Sequence, residues 1–161
     1  MKVSAGILFI KNKKILLARV TDQNNWDIPK GQVDLEDEDH EATAIRECYE
    51  ETGFRVEKED LMPLGVIEYS HIKQLSLFLY TGEEYPDAAK CKCISTFDDK
   101  GVDKPENDDF EYIPLKEVSD YCVNNLVKAL RRALDPISQE SMIDERESTI
   151  FNQWNPAKKK K

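Results

Sequence analysis

Three glutamates set the terms on which this chain can fold. Glu47, Glu50 and Glu51 follow Arg46 in the run RECYEETG, Arg46 to Gly53. In a helix from Asp39 to Thr52 they fall at i, i+3 and i+4 and share one face. Like charges at that spacing weaken a helix, so stability alone does not account for them. A hard divalent cation that prefers oxygen ligands, Mg²⁺ or Mn²⁺, removes the repulsion. Arg46 lies four residues before Glu50 and beside Glu47, where its guanidinium can hold a carboxylate in a fixed orientation. The plain alternative is a solvated acidic helix face. Acidic residues crowd the first turn, where the helix dipole favours them, and Gly53 supplies the stop. Ala42, Ile45, Cys48 and Tyr49 form the expected buried stripe. His40 reads as an exposed helix-start residue.

The residues ahead of the helix weigh against the plain alternative. Trp26-Asp-Ile-Pro-Lys-Gly31 leads into it. Pro29 biases Ile28 towards extended backbone, and Gly31 allows close approach. Together, residues 31–54 (GQVDLEDEDHEATAIRECYEETGF) resemble the Nudix box, with Arg46, Glu47, Cys48, Glu50, Glu51, Gly53 and Phe54 in its pattern. One departure stands out. Seven residues separate Glu38 from Arg46, but six rather than five separate it from Gly31, so the loop carries one extra residue. Glu36, Asp37 and Glu38 all remain open as its loop acid. An added residue can bulge outward at little entropic cost, so loss of Asp37 is expected to be tolerated.

The resemblance, over about residues 3–134, implies an α/β/α sandwich with a mixed β-sheet in a domain of residues 1–136; by composition, 137–161 reads as a peripheral helix and basic tail. It implies metal-dependent hydrolysis of a nucleoside diphosphate linked to another moiety, by water attack on a phosphorus. Metal ligands would be Glu47, Glu50, Glu51 and a backbone carbonyl at Lys30 or Gly31, with Glu47 as ligand or base. Arg46 and Glu106 join Glu47 as catalytic residues. Glu106 matches the glutamate of the family's Pro-Glu…aromatic…Val-Pro-Leu segment, here 105–115, with Asp108 and Asp109 competing. Tyr69 corresponds to a tyrosine of the dinucleoside polyphosphate hydrolases, on which a base can stack. Arg19 and Lys30 are further substrate-binding candidates, each able to neutralise a phosphate. Dinucleoside polyphosphates are the first-choice substrate. RNA 5′ ends, ADP-ribose and nucleoside triphosphates are alternatives, and a non-catalytic nucleotide-binding module is the rival class.

Charge narrows the partners. At net −9 the chain is acidic, whereas a protein gripping many nucleic-acid phosphates is usually basic. No apolar run reaches membrane-spanning length, and the first residues lack a signal-peptide pattern. A cytoplasmic enzyme with a nucleotide substrate is therefore expected, with an RNA 5′ end as a second partner and no membrane. The sequence sets no oligomeric state. Cys48, Cys91, Cys93 and Cys122 lack zinc-type spacing and read as reduced thiols.

Elsewhere, Val3–Ile10 and Ile15–Val20 read as a strand hairpin, and Leu61–Ser70 and Ile72–Tyr80 as two strands. Leu75, Leu77 and Leu79 share a face. A short strand is expected near Cys91–Phe97, a mobile loop at Asp98–Asp103, and a strand at Phe110–Ile113. A core helix from Leu115 to Leu134 is expected to stop at Asp135-Pro136.

Overall fold

A computed structural model of the chain describes residues 1–139. Two apolar periodicities organise it. In strand β1 (Lys2–Leu8) and strand β7 (Lys73–Tyr80), which pair in parallel from Lys2↔Lys73 to Leu8↔Leu79, alternate side chains face opposite ways. Leu8, Leu75, Leu77 and Leu79 enter a core with Leu126, Ala129, Leu130 and Ala133 of helix α3 (Asn124–Gln139). Ala5, Ile7 and Phe78 enter a second core with Ala44 and Cys48 of helix α1 (His40–Thr52). One helix thus covers each face, which is the expected α/β/α layering.

The sheet holding these strands has the order β5-β1-β7-β6, with β5 at Lys30–Gln32 and β6 at Leu61–Ser70. It is mixed: β1–β7 is parallel, while β1–β5 and β6–β7 are antiparallel. A second sheet joins β2 (Ile10–Lys11), β3 (Lys14–Val20), β4 (Trp26–Asp27) and β10 (Asn107–Pro114) around β3. The last pair, β8 (Thr96–Asp99) and β9 (Val102–Pro105), forms a separate hairpin.

The expected hairpin of the first two strands is corrected. Only Ile10–Lys11 pairs with β3, because the chain changes sheets at Phe9 and commits Lys2–Leu8 to β7. The expected strand near Cys91–Phe97 begins only at Thr96. Its earlier residues cap α1 instead: the Lys92 amide donates to the Thr52 carbonyl at 2.9 Å, and the Ile94 and Ser95 amides to Glu50 at 2.6 and 3.0 Å. Terminal helix carbonyls need such partners, and this demand overrides local strand propensity. The Asp98–Asp103 loop is the β8–β9 turn and its flanks.

The Leu115–Leu134 helix is broken. A 3₁₀ turn (Leu115–Glu117) and a short helix α2 (Val118–Tyr121) precede extended Cys122, which bridges to Trp26. The stripe Val118, Cys122, Leu126, Leu130 and Ala133 is nonetheless buried. Nor does Pro136 stop α3, which continues to Gln139; proline there removes one backbone hydrogen bond without unwinding the helix. From residue 140 on, the expected peripheral helix and basic tail lie outside the described residues. Among the described residues no helix is long and apolar enough to cross a membrane.

Candidate active site

Helix α1 is positioned by its two ends. Asp39 caps it, accepting the Ala42 amide at 2.8 Å, and Gly53 closes it in the left-handed region with φ 80°. The buried stripe is rotated from the expected one: Thr43, Ala44, Cys48, Glu51 and Thr52 are inside, while Ala42, Ile45 and Tyr49 are half-buried. That rotation matters because it carries Glu51 inward, to 9% exposure. Glu47 is half-buried, and Glu50 stands more open. The three carboxylates are therefore graded in depth.

Glu51 accepts the Lys30 backbone N–H at 3.1 Å. Burial pushes its carboxyl up to about 8, with the Lys30 amide opposing and Asp27 and Glu47 adding to the rise. Burial also raises Glu47, against the pull of Arg46. Gly31 is indispensable here, since a Cβ on it would lie 1.9 Å from the Glu47 side chain. β5 and α1 can approach this closely only at glycine.

The β1–β5 register decides which carbonyl faces the glutamates. Ile7 N–H donates to the Pro29 carbonyl and Val33 N–H to Val3. Bonded and non-bonded pairs alternate in an antiparallel ladder, so Ala5↔Gly31 is a bonded pair and Gly6↔Lys30 is not. The N–H and C=O of Lys30 thus turn away from β1, and the N–H meets Glu51. Of the two expected carbonyls, that of Lys30 is the one turned away from β1. The Lys30 ammonium is held 3.0 Å from Asp27. Burial draws that ammonium's pKa down, and Asp27 more than offsets it, leaving it above the ordinary lysine value.

Asp37 proves to be the loop acid that engages the box arginine. It accepts Arg46 Nη2 at 2.9 Å and Nε at 3.2 Å, the Thr43 hydroxyl at 2.7 Å and the Asp34 amide at 2.8 Å. Those donors hold its carboxyl well below the usual range, Arg46 foremost. Five residues separate Gly31 from Asp37, so the extra residue falls between Asp37 and Arg46. Loss of Asp37 would take these contacts from Arg46 and Thr43, which weighs against the expectation that its loss is tolerated. Glu36 and Glu38 are exposed. Arg46 also reaches Glu47 at 2.6 Å and Glu50 at 3.5 Å.

Lys30, Glu51, Asp27 and Glu106 line one cleft of about 380 Å³, with Ile28, Thr21, Gln23, Val20, Asn107 and Phe97. Glu106 immediately precedes β10. Asp108 is instead bound to Arg19 through two contacts of 2.8 Å, and Asp109 turns back on the Phe110 amide. Arg19 is thus placed with its guanidinium on Asp108. Tyr69 is half-buried against the core, with the Lys73 ammonium 5.7 Å from its ring centre, and is absent from the cleft lining. His40 is also not free: its Nδ1 lies 2.9 Å from the Ser76 hydroxyl.

Sequence reasoning missed Asp27, Phe97 and Asn107. Asp27 had a signal, its place three residues before Lys30; the other two arrive from distant segments. The cysteines are free, and burial pushes Cys48 up to about 12, an inert thiol.

The donor set suits a hard cation, since every group offered is oxygen. Glu51 is a buried carboxylate with one hydrogen bond among the described residues, and Glu47 lies against a backbone stripped of its Cβ. Arg46 meanwhile occupies Glu47 and Glu50, and among the described residues no three acidic, His or Cys side chains converge on one point. A larger cleft of about 490 Å³ lies at the other end of β3, between Lys11, Lys14, Tyr85 and Tyr112. It contains none of these glutamates.

The NUDIX domain family model matches residues 1–134. A 17.7 kDa protein from the e–segB intergenic region of Enterobacteria phage T4 is 43% identical over 123 residues, 70% of this chain and 82% of that protein. An Ap4A hydrolase from C. elegans superposes with a TM-score of 0.53 at 22% identity, over 82% of this chain and 94% of that one. A bifunctional NMN adenylyltransferase/ADP ribose pyrophosphatase from Francisella tularensis, complexed with AMP and a Mn ion, gives 0.63 at 18% identity, over 84% of this chain and 41% of that one.

Proposed function

We infer, from the premise that this chain belongs to the Nudix hydrolase family, that it hydrolyses a nucleoside diphosphate joined to a second moiety, with Mg²⁺ or Mn²⁺ as cofactor. The observation that carries this reading is the cleft that Lys30, buried Glu51 and Glu106 line together, with half-buried Glu47 packed against Gly31 beside it. Glu47, Glu50, Glu51 and the Lys30 carbonyl would hold the cation. Bound there, it supplies positive charge against the diphosphate oxygens. We assign Glu106 or Glu47 to take the proton of the attacking water. Lys30 offers a phosphate partner once substrate competes with Asp27. Arg46, pinned by Asp37, orients Glu47 and keeps Glu50 near it.

Dinucleoside polyphosphates and ADP-ribose are the substrates we place first. Structural neighbours named for Ap4A and for ADP-ribose share this fold. A cleft of this volume suits one nucleotide half of either compound. Tyr69 lies within electrostatic reach of Asp27 and Lys30 without lining the cleft itself, and we rank neither compound above the other. RNA 5′ ends rank lower, because the chain is acidic.

The test is a hydrolysis panel of diadenosine tetraphosphate, ADP-ribose, a nucleoside triphosphate and 5′-triphosphate RNA, with Mg²⁺ or with chelator, and products identified by mass. Metal-dependent release of a mononucleotide from either of the first two supports the reading. Tight nucleotide binding without turnover of any of them would instead favour the non-catalytic module.

A further inference from the structure

Phe97 is a large apolar side chain left 38% exposed in the wall of the cleft that holds Glu51 and Lys30. Among the described lining residues it is the sole aromatic ring. Partial exposure alone is ordinary for a surface side chain; what distinguishes Phe97 is that its ring stands in the wall of this cleft.

The hairpin that carries it is built to hold it. Its turn, Lys100-Gly101, has φ of 54° and 87°, the positive pair that a two-residue type I′ connection requires. Phe97 pairs with Lys104 across the strands, and Asp99 with Val102. Directly paired residues lie on the same face, so Phe97 and Lys104 point together. Lys104 shows where: its ammonium reaches Asp99 at 2.8 Å and Asp22 at 2.9 Å, and Asp22 sits between the cleft residues Thr21 and Gln23. The base of the hairpin is fixed as well. The Glu106 amide donates to the Ser95 carbonyl at 3.1 Å, and the Thr21 hydroxyl donates to Pro105. Ring and Glu106 carboxylate are thus delivered to the cleft by the two ends of one braced element.

We propose that Phe97 is the base-stacking surface of the active site: a nucleobase lies on its ring while the diphosphate lies towards Lys30 and the glutamates. This rests on the hydrolase reading above for the placement of the phosphates. A π-face accepts any base, so Phe97 selects for a nucleotide over a base-free phosphate and not for one base over another.

The test uses the full chain with Mg²⁺ and two non-hydrolysable probes, AMP and ribose 5-phosphate, measured by calorimetry. Phe97→Ala is expected to weaken AMP about tenfold, the lower range for loss of a stacked base, and to leave ribose 5-phosphate unchanged. Phe97→Leu keeps apolar bulk without the π-face and is expected to weaken AMP similarly. Phe97→Trp should bind AMP at least as tightly as the wild type. Three results overturn the assignment: no AMP binding by the wild type at millimolar concentration, AMP affinity untouched in Phe97→Ala or Phe97→Leu, or equal weakening of both probes, which would mark a collapsed hairpin. If the wild type turns over no substrate but AMP still depends on Phe97, the hydrolase reading fails and the stacking assignment stands.

Discussion

Replacing Asp37 by alanine should separate two roles that its position combines. The carboxylate receives two Arg46 nitrogens, the Thr43 hydroxyl and the Asp34 amide. Thr43 is fully buried, so a lost acceptor there costs about 1–3 kcal/mol. The Arg46 side chain is 37% exposed, so water replaces much of that pairing, and we assign it no more than about 1 kcal/mol. The sum, about 1–4 kcal/mol, lowers Tm by roughly 2–16 °C for a domain of this size. The second role concerns the glutamates. Released from Asp37, the Arg46 guanidinium is free to turn fully onto Glu47 and Glu50, which it already touches. The Mg²⁺ concentration for half-saturation should then rise about tenfold, equivalent to about 1.4 kcal/mol. Asp37→Asn isolates the charge. The folded-state pKa of Asp37 is depressed, so its stabilisation is complete above the unfolded value of about 3.9 and fades as pH falls through the lower folded value. The Asn variant should therefore lose stability less steeply than the wild type below about pH 4. Urea unfolding at pH 7 and pH 3, with Mg²⁺ titration by calorimetry, reads all three. Unfolding within about 0.5 kcal/mol of wild type, together with unaltered Mg²⁺ half-saturation in Asp37→Ala, would refute the reasoning.

Three further outcomes are expected. Glu51→Gln should lower kcat by about 10²–10³, while the metal-free variant melts no lower than the wild type, because a buried carboxylate has been neutralised; near-full activity would remove Glu51 from the ligand set. Gly31→Ala sets a Cβ into the Glu47 side chain and should cost about 1–3 kcal/mol in unfolding with loss of Mg²⁺ response; a wild-type melting curve and normal activity would show that β5 and α1 do not need the close approach. Mg²⁺ should raise Tm in proportion to the logarithm of its excess over Kd, and this rise should be reversed by chelator; no shift at millimolar metal, with or without nucleotide, would contradict the cation site.

The sequence made α1 and its layer legible because local signals agreed: Asp39 and Gly53 as caps, glutamates at i, i+3 and i+4, and Gly31 ahead of them. The buried stripe lies a fraction of a turn from Ala42, Ile45, Cys48 and Tyr49 because α1 turns Glu51 inward beside β5. Non-local demands hid the rest. Residues 92–95 have strand-like composition, but the open carbonyls of α1 claim their amides. Val3–Ile10 reads as one strand, and only the parallel partner at Lys73–Tyr80 reveals the switch of sheets at Phe9. Phe97 and Asn107 could not be placed beside Glu51 without knowing how the hairpin folds back. Asp37 was obscured by counting the box backwards from Arg46, whereas its hydrogen bonds identify it directly.

The parallel pairing of β1 with β7 also has a kinetic meaning. Lys2 cannot meet Lys73 until the intervening chain has been made, and β5, which carries Gly31 and Lys30 to the glutamates, is hydrogen-bonded to β1. Helix α1 and β5 can meet through contacts near in sequence, but the sheet that backs them is complete only after this long loop closes. Such non-local parallel pairing is slow. During synthesis on the ribosome, the apolar run from Val3 to Ile10 must wait with its edges open, and it is the segment most exposed to wrong partners.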